Sequence, residues 1–98
     1  MKLTLLSLLL SLLVAAFARP AAAGPPVTTI YLVRHAEKDL TPGLADPALT
    51  PAGETRAQAL RKKLVGKHPA ALFTTDTRRT RATLAPLSVA TGLTPLVY

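Results

Sequence analysis

Residues 28–33 read Thr-Thr-Ile-Tyr-Leu-Val, a nearly continuous run of β-branched, aromatic and apolar side chains. That pattern predicts a strand buried on both faces of a parallel sheet. Residues 39–49 are broken by Pro42, Gly43 and Pro47 and read as a loop. Thr50-Pro51 then opens a helix, with Thr as N-cap and Pro at the first helical position. Glu54 falls in its first turn, and Ala57, Leu60 and Leu64 form one apolar stripe. Gly66 is the expected stop, flanked by Lys62, Lys63 and Lys67 near the negative end of the dipole. A second short strand is expected over 70–74. Thr75-Asp76-Thr77 offers the next N-cap, with Asp76 read as a capping residue. A helix is expected from Arg78, bent or interrupted at Pro86 and closed at Gly92. Thr94 to Tyr98 looks like the opening of a third strand. The order β-α-β-α-β predicts an α/β fold with a parallel sheet and flanking helices.

The polar residues at the ends of these strands define a candidate chemistry. In open parallel sheets, ligands sit beyond the carboxyl ends of the strands. Arg34-His35 follows the first strand, and Thr75-Asp76-Thr77-Arg78-Arg79 follows the second. Parallel order places both tips on one edge, and the second tip is also a helix start whose free N–H groups attract anions. Two separate segments thus bring arginine, histidine and a helix dipole together, in outline a phosphate site. His68 precedes the second strand. Five residues at about 3.3 Å each put it roughly 16 Å from that edge, which makes it a surface or helix-terminal residue.

Composition changes the picture at the N-terminus. Met1-Lys2 is basic, Leu3 to Ala18 is an uncharged apolar stretch of sixteen residues, and Ala21-Ala22-Ala23 supplies an A-x-A site. These are the three regions of a secretory signal peptide over 1–23. Ala16-Phe17-Ala18 is a second possible cut, but cleavage after Ala23 is preferred. Sixteen helical residues span about 24 Å, short of the roughly 30 Å of a hydrocarbon core, so a stable membrane anchor is not expected. Export to the periplasm or the medium is. Residues 24–27, with Pro25-Pro26, form a stiff linker ahead of a domain over 28–98. The chain has no cysteine, so neither a disulfide nor a lipid-anchored cysteine is available to it.

Without Lys2 and Arg19, ten basic residues face five acidic ones. A basic excess is compatible with nucleic acid, an anionic surface or a small anion. Only four aromatics occur, and none is interleaved with a Lys/Arg run. Stacking on bases is therefore unsupported, nucleic acid is not expected as a partner, and Arg61-Lys62-Lys63 reads as a solvated helix face. Two histidines and five scattered carboxylates suggest no metal site. Neither a metal nor another cofactor is expected.

Three stretches, RHAEK after a strand, DPALTPAGETRAQAL, and TTDTRRTRATLAPL, resemble the histidine phosphatase superfamily, the phosphoglycerate mutase-like fold. Arg34 and His35 match that family's Arg-His motif. Leu49-Thr50-Pro51-Ala52-Gly53 matches its L-T-x-x-G helix motif, and Thr75 to Thr83 matches S-D-x-x-R-T-x-x-T with Thr75 in place of Ser. That register selects Arg79 as the inward arginine and leaves Arg78 and Arg81 as outer charges. The resemblance implies that His35 is the nucleophile, forming a phosphohistidine on a small phosphorylated substrate. Arg34 and Arg79 would hold the phosphate oxygens as catalytic and binding residues, joined by the Thr75 hydroxyl. Ala36 stands where many members carry Gly, closer to the small phosphatases than to the mutases, which favours hydrolysis.

The same resemblance implies a second pocket histidine and a general acid from later in the chain. His68 lies at the wrong end of the sheet for that role, and Glu37 reads as a loop or salt-bridge residue. The expectation is therefore the N-terminal part of a longer exported phosphatase, inactive by itself. The alternative is a non-catalytic module that binds phosphate or a phospho-ligand. Substrate identity and oligomeric state are not written in these residues.

Overall fold

The structure is a computed structural model that describes Thr4, Ser7, Leu8, Ser11 and residues 24–98. The chain divides into two units, residues 1–31 and 32–98. In the first, the four described residues of the leader are helical, and the Ser11 hydroxyl donates to the Ser7 carbonyl at 2.9 Å. Most of the expected signal peptide lies outside the described residues. Among those described, no helix is long and apolar enough to cross a membrane.

The second unit contains α1 (Pro51–Leu64), β1 (Phe73–Thr74), α2 (Arg78–Thr91) and β2 (Leu96–Val97). β1 and β2 pair in parallel, Phe73 opposite Leu96 and Thr74 opposite Val97, with α2 as the connection between them. This is the βαβ arrangement that the alternation of elements predicts. Both strands are shorter than the 70–74 and 94–98 segments from which they were expected.

The first expected strand is a correction. Residues 28–33 form no regular element and join no ladder among the described residues, and Leu32 is 97% exposed. An apolar run of this kind becomes a strand only when neighbours take its N–H and C=O groups and cover both faces. The two-stranded sheet supplies neither.

The helices follow their local signals closely. The Thr50 hydroxyl accepts the Gly53 N–H at 3.1 Å, Pro51 occupies the first turn, and Glu54 lies at the positive end of the dipole. The far end differs from expectation. After Leu64 the chain tightens into a 3-10 turn, Val65–Lys67, and His68 takes the left-handed conformation (φ 50°) expected of Gly66. A histidine there costs roughly 1–2 kcal/mol relative to glycine. In α2 the cap is Thr77, whose hydroxyl accepts the Thr80 N–H at 3.4 Å, so Asp76 is not the N-cap. Pro86 removes the N–H that would bond to the Ala82 carbonyl, yet the helix runs on to Gly92 (φ 72°).

The core uses small residues. Ala36, Leu49 and Ala57 form a buried cluster with Ala82 packed against it, and Leu72 and Leu87 are also buried. Small side chains allow the backbone after His35 to lie close to α1. Gly53 sets the limit, because a Cβ there would stand 2.3 Å from the Glu37 carbonyl oxygen. At Gly66 a Cβ would meet nothing within 4 Å.

Gly53→Ala is expected to destabilise the protein by about 1–3 kcal/mol, the usual range for overpacking, less a propensity gain of up to about 1 kcal/mol. Gly66→Ala should be neutral or slightly stabilising. Denaturant midpoints of the two variants measured side by side provide the check, and equal destabilisation would contradict the close approach at Gly53.

Candidate active site

His35 is half-buried, and its Nδ1–H donates to the Ala36 carbonyl at 2.7 Å. That bond fixes the tautomer. With the proton on Nδ1, the Nε2 lone pair is free. The imidazole is thereby prepared as a nucleophile or acceptor at Nε2.

The backbone under the ring is held from two directions. The Ala36 N–H donates to Thr83 Oγ1 at 2.9 Å, and the same hydroxyl donates to the Arg79 carbonyl at 2.7 Å. One buried hydroxyl thus joins the residue after His35 to the first turn of α2, which carries Arg79. On the other side, the Glu37 carbonyl accepts from the Thr50 N–H at 2.9 Å and the Thr50 hydroxyl at 3.3 Å. The N-cap of α1 is therefore docked on the chain two residues beyond His35.

The arginines fall into two groups. Arg56 pairs with Glu37 at 2.6 Å, and Arg81 donates two bonds to Asp76 Oδ1 at 2.9 and 2.6 Å. Their charge is locally compensated. Arg34, Arg78 and Arg79 have no side-chain partner among the described residues; Arg34 and Arg78 are exposed, and Arg79 is half-buried. Arg81 is exposed as well.

Thr75 is less free than its expected role requires. Its hydroxyl lies 3.1 Å from that of Thr80, which also contacts the Thr77 hydroxyl at 2.6 Å and the Thr75 and Thr77 carbonyls at 3.0 Å. A phosphate contact would draw the Thr75 proton out of this network. The α2 start is similarly occupied. Its Arg78 N–H donates to Asp46 Oδ1 at 3.0 Å, and the Thr80 N–H goes to Thr77. An incoming anion would therefore meet chiefly the guanidinium of Arg79 here. His68 caps the turn after α1 and is exposed; it precedes β1, whereas Thr75 to Arg79 follow it.

Sequence reasoning gave no role to Thr83 or Asp46. Thr83 had a signal: it ends the T-x-x-T stretch and lies four residues beyond Arg79, on the same helix face. Asp46 had none beyond standing ahead of Pro47 in a loop.

An imidazole whose Nδ1 is engaged, three arginines without a side-chain partner among the described residues and a parallel βαβ scaffold agree with the histidine phosphatase fold. The chain belongs to the histidine phosphatase superfamily (branch 1), whose family model matches residues 30–98. Among solved structures, it is similar to a mycobacterial glucosyl-3-phosphoglycerate phosphatase in complex with VO3. That match has a TM-score of 0.58 and 29% identity, over 65% of this chain and 33% of the other. The same mycobacterial protein with inorganic phosphate matches with a TM-score of 0.52 and 32% identity, over 65% and 31% of the two chains. SixA from Nakamurella multipartitia, named as a candidate phosphohistidine phosphatase, matches with a TM-score of 0.51 and 36% identity, over 68% and 38%. The chain spans about a third of the length of these solved relatives. No curated protein matches it.

The Glu37 carboxyl is held below its ordinary value of 4.5, first by its own backbone N–H and then by Arg56, with partial desolvation opposing. A group depressed in the folded state stabilises it above the unfolded pKa, and that contribution is lost as pH falls through the folded value. Glu37→Gln should therefore flatten the acid limb of stability below pH 4.5 and leave neutral-pH cooperativity intact. Denaturation midpoints across a pH series test this.

Thr83→Val removes the hydroxyl at nearly constant shape and leaves the Ala36 N–H buried without an acceptor. A loss of about 1–3 kcal/mol is expected, largely restored by Thr83→Ser. Equal stability of the Val and Ser variants in thermal unfolding would show that the bond contributes nothing.

Proposed function

We propose that these residues form the nucleophile half of an exported phosphatase that hydrolyses phosphate esters through a phosphohistidine on His35. The observation that carries this reading is the Nδ1–H bond to the Ala36 carbonyl, which in the neutral imidazole leaves the Nε2 lone pair uncommitted, in a chain whose Arg34 and Arg79 have no side-chain partner among the described residues. In the first step the Nε2 lone pair attacks phosphorus, a P–N bond forms, and the P–O bond to the leaving alcohol breaks. In the second, water attacks phosphorus, the P–N bond breaks, inorganic phosphate leaves and neutral His35 returns. Arg34 and Arg79 stabilise the charge that builds on the equatorial oxygens. The proton for the leaving oxygen comes from a residue of a longer polypeptide, of which this chain is the N-terminal part. The match to about a third of each solved relative supports that reading, as do the bound vanadate and phosphate in the mycobacterial relative. The alternative, phosphate binding without turnover, applies if no such continuation exists.

Rapid-quench labelling with a phosphorus-labelled ester decides between the two. The full polypeptide should form an acid-labile phosphoenzyme that His35→Ala abolishes. Arg79→Ala should lower the rate by about 10²–10³, the scale of losing one transition-state donor, and His68→Ala should leave it unchanged. Residues 24–98 alone should gain thermal stability from phosphate or vanadate without hydrolysis. Robust turnover by that segment would contradict the half-site reading.

Export is proposed from the leader sequence. N-terminal sequencing of the protein recovered outside the cytoplasm should begin near Gly24; intact Met1 in a membrane fraction would overturn it.

A further inference from the structure

We propose that Asp46 is a positioning residue for the phosphate clamp, acting through the backbone of Arg78 on the guanidinium of Arg79; this rests on the phosphatase reading above. The Arg78 N–H opens α2 and donates to Asp46 Oδ1 at 3.0 Å across 32 residues of sequence. The helix already has a local cap in Thr77, so the second acceptor comes from a distant loop.

That loop is held at its base. Lys38 and Leu49 form an antiparallel bridge, the Asp39 N–H donates to the Ala48 carbonyl at 2.8 Å, and the Thr50 N–H to the Glu37 carbonyl at 2.9 Å. Asp46 is followed by the buried Pro47, whose ring fixes φ. The acceptor is therefore mounted on the same closed base that leads out of His35.

Thr83 supplies the other attachment, at the Arg79 carbonyl. The two bonds bracket Arg79, one at the amide of the preceding residue and one at its own carbonyl. A helix turn tethered at one point can still rotate about its axis. Tethered at two, its rotation is set, and with it the direction in which the Arg79 side chain leaves the backbone. A shift of about 1 Å in such a group is enough to lose around 10²-fold in rate.

The charge of Asp46 works against phosphate, because a carboxylate at this helix start repels an incoming anion. Geometry and charge can therefore be separated. Asp46→Asn keeps an acceptor oxygen and removes the repulsion, Asp46→Ala removes both, and Asp46→Glu keeps the charge but displaces the acceptor by one methylene.

Vanadate affinity of the full polypeptide, measured by calorimetry, tests the proposal. Asp46→Asn should bind as tightly as the wild type or more tightly. Asp46→Ala and Asp46→Glu should bind about tenfold more weakly, or about 1.4 kcal/mol. In an Arg79→Ala background, Asp46→Ala should cost nothing further, since its effect passes through that side chain. Additive losses in the double variant, or Asn as damaging as Ala, would overturn the proposal. If Asp46→Ala fails to fold, wild-type affinity in Asp46→Glu would overturn it equally. A wild type that binds no vanadate would instead remove the phosphatase reading and this inference with it.

Discussion

The Thr83 hydroxyl is the point on which the site depends. It accepts the buried Ala36 N–H and donates to the Arg79 carbonyl, using its single proton and one lone pair in opposite directions. Neither of those backbone groups belongs to a ladder with the other segment. Without the hydroxyl, the residue after His35 and the turn bearing Arg79 would share only apolar contact, which is non-directional. Hydrogen bonds supply direction. A buried amide that requires an acceptor is a stronger constraint on register than the small apolar cluster of Ala36, Leu49 and Ala57.

A second constraint follows from the first. With Ala36 held against α2, the next residue must run close to α1, and the Glu37 carbonyl is taken by Thr50. The close approach leaves no room for a side chain at Gly53. Glycine is needed there to avoid a clash, since the position is helical and has no positive φ. The Thr and Gly of the L-T-x-x-G motif therefore have distinct physical tasks: one bonds the carbonyl and the other makes space for it. The motif encodes the docking of a helix onto the chain that leaves His35.

Local signals were legible where local chemistry decides the outcome. Thr50-Pro51 and Gly92 set helix ends where their capping chemistry places them, while the second N-cap fell on Thr77, one residue beyond Asp76. The parallel βαβ unit also followed from the alternation of elements. What was not legible depended on partners. Residues 28–33 have every propensity of a strand, yet propensity cannot supply the ladder that would make them one. The stop at Gly66 moved to His68 because the last turn tightened, a balance of about 1 kcal/mol that the pattern does not resolve. Asp46 was invisible because its bond to Arg78 spans 32 residues and matches no short motif.

The distribution of counter-ions gives the site its sign. Five acidic side chains serve the chain, and those that meet arginines meet Arg56 and Arg81. Exposed pairs of this kind contribute little to stability; their larger effect is to leave Arg34 and Arg79 uncompensated. Arg79 is half-buried, so it has given up part of its hydration without gaining a carboxylate. A cation in that condition gains more from an arriving anion than a solvated one does, because less water must be displaced and the local dielectric is lower.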